Sequence, residues 1–330
     1  MDAAAVSADW RNVVQPYIGP SAWRSVEQVF VTLGLLAATF AVMGMALDNS
    51  VLITLAMAPL AAGLLVKTFI LMHDCAHGSL FTSRRATEVI GFITGVITMT
   101  PFAQWRRDHA LHHASSGDLD RRGHGDVPTL TVREYLAKTP REQFWYRFVR
   151  HPATLLFIGP LHLMLGQRIR GRSKATRDKQ VSSVWATNAA IVIAAGIAMW
   201  LAGWKAVLLI YFFSYYLAAM AGVWLFYVQH QFEDAYWEEH GEWDYFTASL
   251  KGSSHLRLPA VFRWFTGNIG VHHVHHLAPK IPNYRLQRCH DENAMFHAAP
   301  VVTPVSGMAA LRLSLWCEDR RRLVRFDEIR

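Results

Sequence analysis

His73 and His77, in H-D-C-A-H, stand four residues apart, so that on a helix both imidazoles reach one ion. That spacing alone arises often by chance and carries little. His109, His112 and His113 in H-A-L-H-H, and His272, His275 and His276 in H-H-V-H-H, carry more. Spacings of three and four place each trio on one helical face as a cluster of neutral nitrogen donors. His273 falls about 100° round from that face and is left out. His230, in V-Q-H-Q-F-E, is a plausible ninth ligand, its plainer role being to anchor a helix end. His124, His151, His162, His240, His255, His290 and His297 read as ordinary core or surface residues.

Eight or nine imidazoles exceed what one ion uses. Zinc takes four ligands in closed sites and three in open ones, whereas two irons preferring five or six ligands would consume this supply and leave room for O2. A histidine-rich iron site without obvious carboxylate pairs suits oxygen activation better than hydrolysis.

These residues need elements that bring them to one place. Four apolar stretches, 29–47, 51–72, 184–203 and 206–228, are long enough to cross a hydrocarbon core of ~30 Å, which takes about 20 helical residues. Asp48, Asn49 and Ser50 join the first pair, and Trp204 and Lys205 the second, so each pair reads as a tight hairpin. Two shorter runs, 89–103 and 153–165, contain Pro101 and Pro160 and read as interfacial or re-entrant helices. All histidine boxes then lie on one side of the membrane. Arg84, Arg85, Arg106, Arg107, Arg121, Arg122 and the basic runs near 168–179 and 320–325 share that side, which makes it cytoplasmic. Lys67 is placed near enough to the end of its span to snorkel, and Gly91 with Gly95 reads as a helix-packing pair.

The organisation expected is a cytosolic segment 1–28, hairpin 29–72, a cytosolic and interfacial part 73–183 with two boxes, hairpin 184–228, and a cytosolic part 229–330 with the third box. The basic, small-residue stretch 166–180 reads as an exposed link. The fold class is thus all-α integral membrane, with a helical cap over four spans. Composition agrees: 52% of residues are hydrophobic and 18% charged, which is too apolar for most soluble chains of this length. The net charge of +8 suits anionic headgroups or an acidic partner. Its charges are scattered between apolar runs, which argues against nucleic acid. Cys75, Cys289 and Cys317 are few and far apart, so no disulfide is expected. The first residues lack the basic start and apolar core of a signal peptide.

Taken together, H-D-C-A-H-G-S-L-F from His73, H-A-L-H-H-A-S-S-G-D-L-D-R-R-G from His109 and G-N-I-G-V-H-H-V-H-H-L-A-P-K-I-P-N-Y from Gly267 resemble the membrane fatty acid desaturases, especially the acyl-lipid delta-12 (omega-6) group. Residues 229–234 and 243–254 also look like that group. The resemblance implies four transmembrane helices capped by a cytosolic domain, with two iron ions at the mouth of an acyl tunnel. It implies ligands at His73, His77, His109, His112, His113, His272, His275 and His276, with His230 as the ninth. The activity implied is O2-dependent insertion of a cis double bond into a fatty acyl lipid, in what would be a bacterial inner membrane with both termini cytoplasmic. Asp74, Asp108, Asp126, Glu233, Asp234, Asn268 and Asn283 are candidates to orient ligands. Trp105, Trp264, Phe265 and Phe81 are candidates to line the tunnel. Val271 stands where many relatives carry Tyr. His151 and Pro152 are not followed by the paired glycines of a fused cytochrome b5, so electrons are expected from a separate carrier, a ferredoxin or else cytochrome b5, attracted to the basic face.

Three rivals share some of these features. Diiron hydroxylases and ketolases of lipids or carotenoids use the same boxes with a different fate for the oxygen. A membrane zinc metalloprotease would explain H-D-C-A-H as a variant of H-E-x-x-H but leaves six boxed histidines unused. A metal transporter or sensor would carry more ionisable residues within its spans than Lys67 alone.

Overall fold

The computed structural model describes residues 3–123, 127–168 and 178–329. Its frame is a set of long apolar helices. Helix Ala22–Leu47 buries Val29, Thr32, Leu36, Thr39 and Met43, a stripe at alternating spacings of three and four that packs on helix Val51–His77. Its other face is also apolar but exposed, with Phe30 74% and Leu35 46% open. A helix apolar all round with one face uncovered is what a lipid environment selects.

Among the described residues three helices are long and apolar enough to cross a membrane: Ala22–Leu47, Val51–His77 and the continuous run Gln180–His230. That run has 51 residues and would be ~77 Å long if straight. Both its ends nevertheless meet one 14-residue helix, Phe102–Ser115. Ser183 Oγ accepts from the Ala103 N–H at 3.1 Å, and His230 Nε2 lies 3.1 Å from His112 Nε2. The run therefore doubles back. It does so at Gly203, whose φ of 81° and ψ of 162° interrupt the helical backbone in a conformation that only glycine adopts cheaply. The reversal expected at Trp204 and Lys205 thus begins one residue earlier.

The two shorter apolar runs each belong to a bent pair of helices, 89–103 crossing its break and 153–165 forming the second arm. Arg84–Ile97 meets Phe102–Ser115 at 98°, and Pro140–Arg150 meets Thr154–Gly166 at 67°. Gly91 and Gly95 make the first bend possible. A Cβ on Gly91 would come within 2.6 Å of the Phe102 ring, and one on Gly95 within 2.6 Å of the Thr100 carbonyl. The small-residue pair serves packing within its own bent unit.

The part outside the long helices departs from all-α. Leu130–Thr131 pairs in parallel with Leu315–Cys317, which pairs antiparallel with Arg322–Val324. His255–Leu256 pairs in parallel with Val301–Val302. These strands of two or three residues are too short to show period-two patterning in sequence, and the pairing of Leu130 with Leu315 joins distant parts of the chain. Arg150, 1% exposed, reinforces the junction by donating from Nη2 to Tyr227 Oη, Gln231 Oε1 and the Leu313 carbonyl. Most of the link expected at 166–180 lies outside the described residues, and the three cysteines are unpaired.

Candidate metal centre

Each box is held at the end of a rigid element. Helix Val51–His77 carries His73 and His77 on its last turns and stops at Gly78, whose φ of 65° lets its N–H close back on Asp74 and Cys75 carbonyls. Helix Phe102–Ser115 lays the second box across that end, and helix Phe213–His230 delivers His230 as its last residue. The third box sits on a helix of only six residues, His272–Leu277, which would not persist alone. Its neighbours fix it. Gln229 Nε2 donates to the Ile269 carbonyl at 3.2 Å, and Ser254 accepts from the His272 N–H at 3.2 Å through its carbonyl. Tyr245 Oη donates to the His276 carbonyl at 2.7 Å.

Nine histidines meet in two groups: His73, His77, His109, His113 and His275 in one, His112, His230, His272 and His276 in the other, with the donor atoms of each group within 4.8 Å of one another. The second and third boxes each divide between the groups. In both, the residues four apart share a group and the third joins the other. Helix geometry explains the division. Residues i and i+4 differ by about 40° around the axis, while i+3 points about 60° to the opposite side of i. The expectation of one shared face per box is therefore refined: each box faces two points at once.

Ring nitrogens converge closely. His230 Nε2 lies 3.1 Å from His112 Nε2 and 3.0 Å from His272 Nε2, and His113 Nε2 lies 3.1 Å from both His109 Nε2 and His275 Nε2. A ring nitrogen offers either one proton or one lone pair, so neither His230 nor His113 can satisfy two such neighbours by hydrogen bonding. A cation at the common point does. Five nitrogens gather in one group and four in the other, more than the four-ligand set of a single tetrahedral ion can use. His77 Nε2 and His276 Nε2 are buried without a hydrogen-bond partner, which a metal bond would remedy. Burial and neighbouring imidazoles push His272, His275 and His276 well below the usual histidine range, leaving them neutral and able to donate lone pairs. The residues fit a pair of five- or six-coordinate ions.

Around the groups the candidate partners separate. Asp74 lies 3.2 Å from His73 Nδ1 and is itself held by the backbone N–H and Nδ2 of Asn283 at 2.8 and 2.9 Å. Asn268, at a φ of 55°, donates to the Asn283 carbonyl at 3.0 Å, so Asn283 acts on Asp74 and Asn268 on Asn283, neither of them on an imidazole. The Gly252 carbonyl lies 3.1 Å from His230 Nδ1 and directs its Nε2 inward. Asp108 accepts from Gln104 at 2.8 Å and Glu233 pairs with Arg322, so neither is recorded against a histidine. Asp234 is exposed, and Asp126 lies outside the described residues.

Trp105 stacks on His109 with centroids 4.3 Å apart, and Phe226, which gave no sequence signal, lies 5.3 Å from His112 and 5.6 Å from His230. Trp264 and Phe265 sit elsewhere, against Lys67 and Gly63. Phe81 packs with Leu80, Met72 and Phe102. Lys67 does not snorkel: it is 4% exposed, with its ammonium 3.4 Å from Asn283 Oδ1. Sequence reading also missed a second cluster. His273, turned away from both groups, places Nε2 3.0 Å from His290 Nδ1, and His255 and His297 pack on His290.

A profile of the fatty acid desaturase family matches residues 49–302. The chain is 42% identical over 286 residues, 87% of its length and 81% of the relative's, to a fatty acid desaturase of Bacillus subtilis (strain 168). It is 25% identical to an sn-1 acyl-lipid omega-3 desaturase (ferredoxin) of Synechocystis sp. (strain ATCC 27184 / PCC 6803 / Kazusa), covering 82% of this chain and 74% of that one. It is 26% identical to a chloroplastic omega-6 fatty acid desaturase of Arabidopsis thaliana over 68% of this chain and 49% of that one. With three histidine boxes folded into two metal-ready groups and a family match across most of its length, this chain belongs to the fatty acid desaturase family.

Proposed function

We propose that the nine histidines hold two iron ions, five ligands on one and four on the other, and that the enzyme uses O2 to insert a cis double bond into the acyl chain of a membrane lipid. The observation that carries this reading is the division of each three-histidine box between two convergent groups. Two bound irons supply reductive activation of O2, with electrons from a separate carrier such as a ferredoxin. The chain's own residues set the conditions. Asp74 and the Gly252 carbonyl fix the orientation of His73 and His230. Trp105 and Phe226 cover the two groups with apolar rings that keep water from the reacting centre.

Four spans in two hairpins, with the reversal at Gly203 and the cap, both termini and the histidines on the cytoplasmic side of a bacterial inner membrane, are the arrangement that the basic residues support. The position of the double bond is read as delta-12 (omega-6) from the stretches around the boxes. Relatives named omega-6 and omega-3 are similar to this chain to the same degree, so product analysis decides between them.

Expression in a host lacking polyunsaturated fatty acids, with gas chromatography and mass spectrometry of total fatty acids, tests the activity. A new diene that is absent with His112→Ala is the expected result. A hydroxylated or oxo product in its place would assign the chain to the rival chemistry.

A further inference from the structure

Lys67 lies six residues before His73, about 9 Å along the helix. It is 4% exposed, and its ammonium has only an amide oxygen of Asn283 at 3.4 Å and the Trp264 ring at 5.7 Å as partners. Among the described residues it makes no ion pair. The neighbouring carboxylate, Asp74, is taken up by Asn283 and His73. A buried ammonium without an anion is costly unless something else supplies one.

Lys67 borders a cavity of about 370 Å³, within the ~300–1,000 Å³ of small-molecule sites. Gln28 and Thr32, one turn apart on the outer helix, also border it. Both amide atoms of Gln28 and the hydroxyl of Thr32 are buried with no hydrogen-bond partner. Arg24, a turn earlier, adds a second cation at the rim, against the single acid Glu27. The cavity lies between Ala22–Leu47, which supplies Gln28, Val31 and Thr32, and Val51–His77, which supplies Lys67, and both helices are long and apolar enough to cross a membrane, so it borders the lipid phase.

An acyl tail alone would leave the ammonium, amide and hydroxyl unsatisfied, whereas a phosphodiester with neighbouring ester oxygens supplies an anion for Lys67 and acceptors for Gln28 and Thr32. In a carrier thioester the phosphate lies a pantetheine's length from the acyl carbonyl, so no ester oxygens stand beside it to meet Gln28 and Thr32. We propose that this cavity binds the phosphate and glycerol ester oxygens of the phospholipid whose acyl chain is the substrate, with Lys67 as the phosphate partner. The inference rests on the acyl-lipid desaturase reading and adds to it the point at which the lipid is held. The route Lys67, Asn283, Asp74, His73 then joins headgroup and centre in one hydrogen-bonded chain.

The test is calorimetric titration of the purified full-length protein with dihexanoyl phosphatidylglycerol below its critical micelle concentration, beside dihexanoylglycerol, inorganic phosphate and decanoyl-CoA. Lys67→Met should weaken phosphatidylglycerol binding at least about tenfold, Lys67→Arg should stay within about threefold, and Gln28→Leu should weaken it about threefold or more. Dihexanoylglycerol should not distinguish wild type from Lys67→Met. Unchanged affinity in Lys67→Met overturns the proposal. So does inorganic phosphate or decanoyl-CoA binding as tightly as the lipid. If Lys67→Met does not fold, as judged by size-exclusion elution and iron content, unchanged affinity in Gln28→Leu overturns it instead. Fatty acid profiles from the same cells separate the two readings. Double bonds formed without lipid binding at this site defeat only the cavity; lipid binding without any double bond defeats the desaturase reading.

Discussion

Two clusters of imidazoles lie on either side of one short helix, His272–Leu277, and share the residues of a single box, yet they are built differently. In the inner cluster, ring nitrogens of one kind face each other and two of them each meet two neighbours, at 3.0–3.1 Å. In the outer cluster the contacts are complementary: His273 Nε2 meets His290 Nδ1, and His297 Nε2 meets the His290 carbonyl, both at 3.0 Å. The outer pair His273–His290 matches one donor to one acceptor and leaves only His273 Nδ1 without a partner, whereas in the inner set His230 and His113 each face more like nitrogens than hydrogen bonds can satisfy. Density of histidine therefore does not define a metal centre; convergence of unpaired lone pairs does. His272 and His273, adjacent in sequence, fall on opposite sides of that line because 100° of helix separates them.

The comparison breaks first at the ligands. His230→Ala should lower desaturation by roughly 100-fold or more and reduce iron toward one ion per chain, measured by fatty acid profiling and inductively coupled plasma mass spectrometry. Iron retained in full would remove His230 from the centre. Next in size, Asp74→Asn keeps the shape but discharges the group beside His73, and iron affinity should fall about 10–100-fold in competition with a chelator. His290→Phe in the outer cluster should leave iron content unchanged and cost about 1–2 kcal/mol of stability in thermal or denaturant unfolding. Loss of iron in that variant would merge the two clusters.

The smallest effect is acidic. Burial pushes His255 down to about 4, against 6.5 for the free side chain, so between those values the unfolded chain binds the extra proton. Its contribution to stability should be constant above pH 6.5 and fall by up to about 1.4 kcal/mol per pH unit as the pH drops toward 4. His255→Gln should lower the slope in that window by one group's share in an unfolding series, the other buried histidines keeping theirs.

The metal-ready histidines were legible because their spacing is local: four residues on a helix fix a direction in space. The partition of each box was not read, since it depends on how Phe102–Ser115 and His272–Leu277 cross. Asp74 was legible as a neighbour of His73, but its grip by Asn283 spans 209 positions and carries no pattern. Lys67 shows the reverse failure. Its place near a helix end suggested escape to water, and only the packing of Trp264 and Asn283 over it shows otherwise. The short strands were invisible because two or three residues have no period, while the break at Trp204 and Lys205 between two apolar runs placed the reversal one position past Gly203.

The central claim is that two ions occupy the two histidine groups. Anaerobic purification with iron-57 supplied, followed by metal counting and Mössbauer spectroscopy, measures this directly. Two irons per chain in nitrogen-rich, five- or six-coordinate environments is the predicted result; a single ion per chain, or tetrahedral zinc retained at full occupancy with iron in excess, would contradict it.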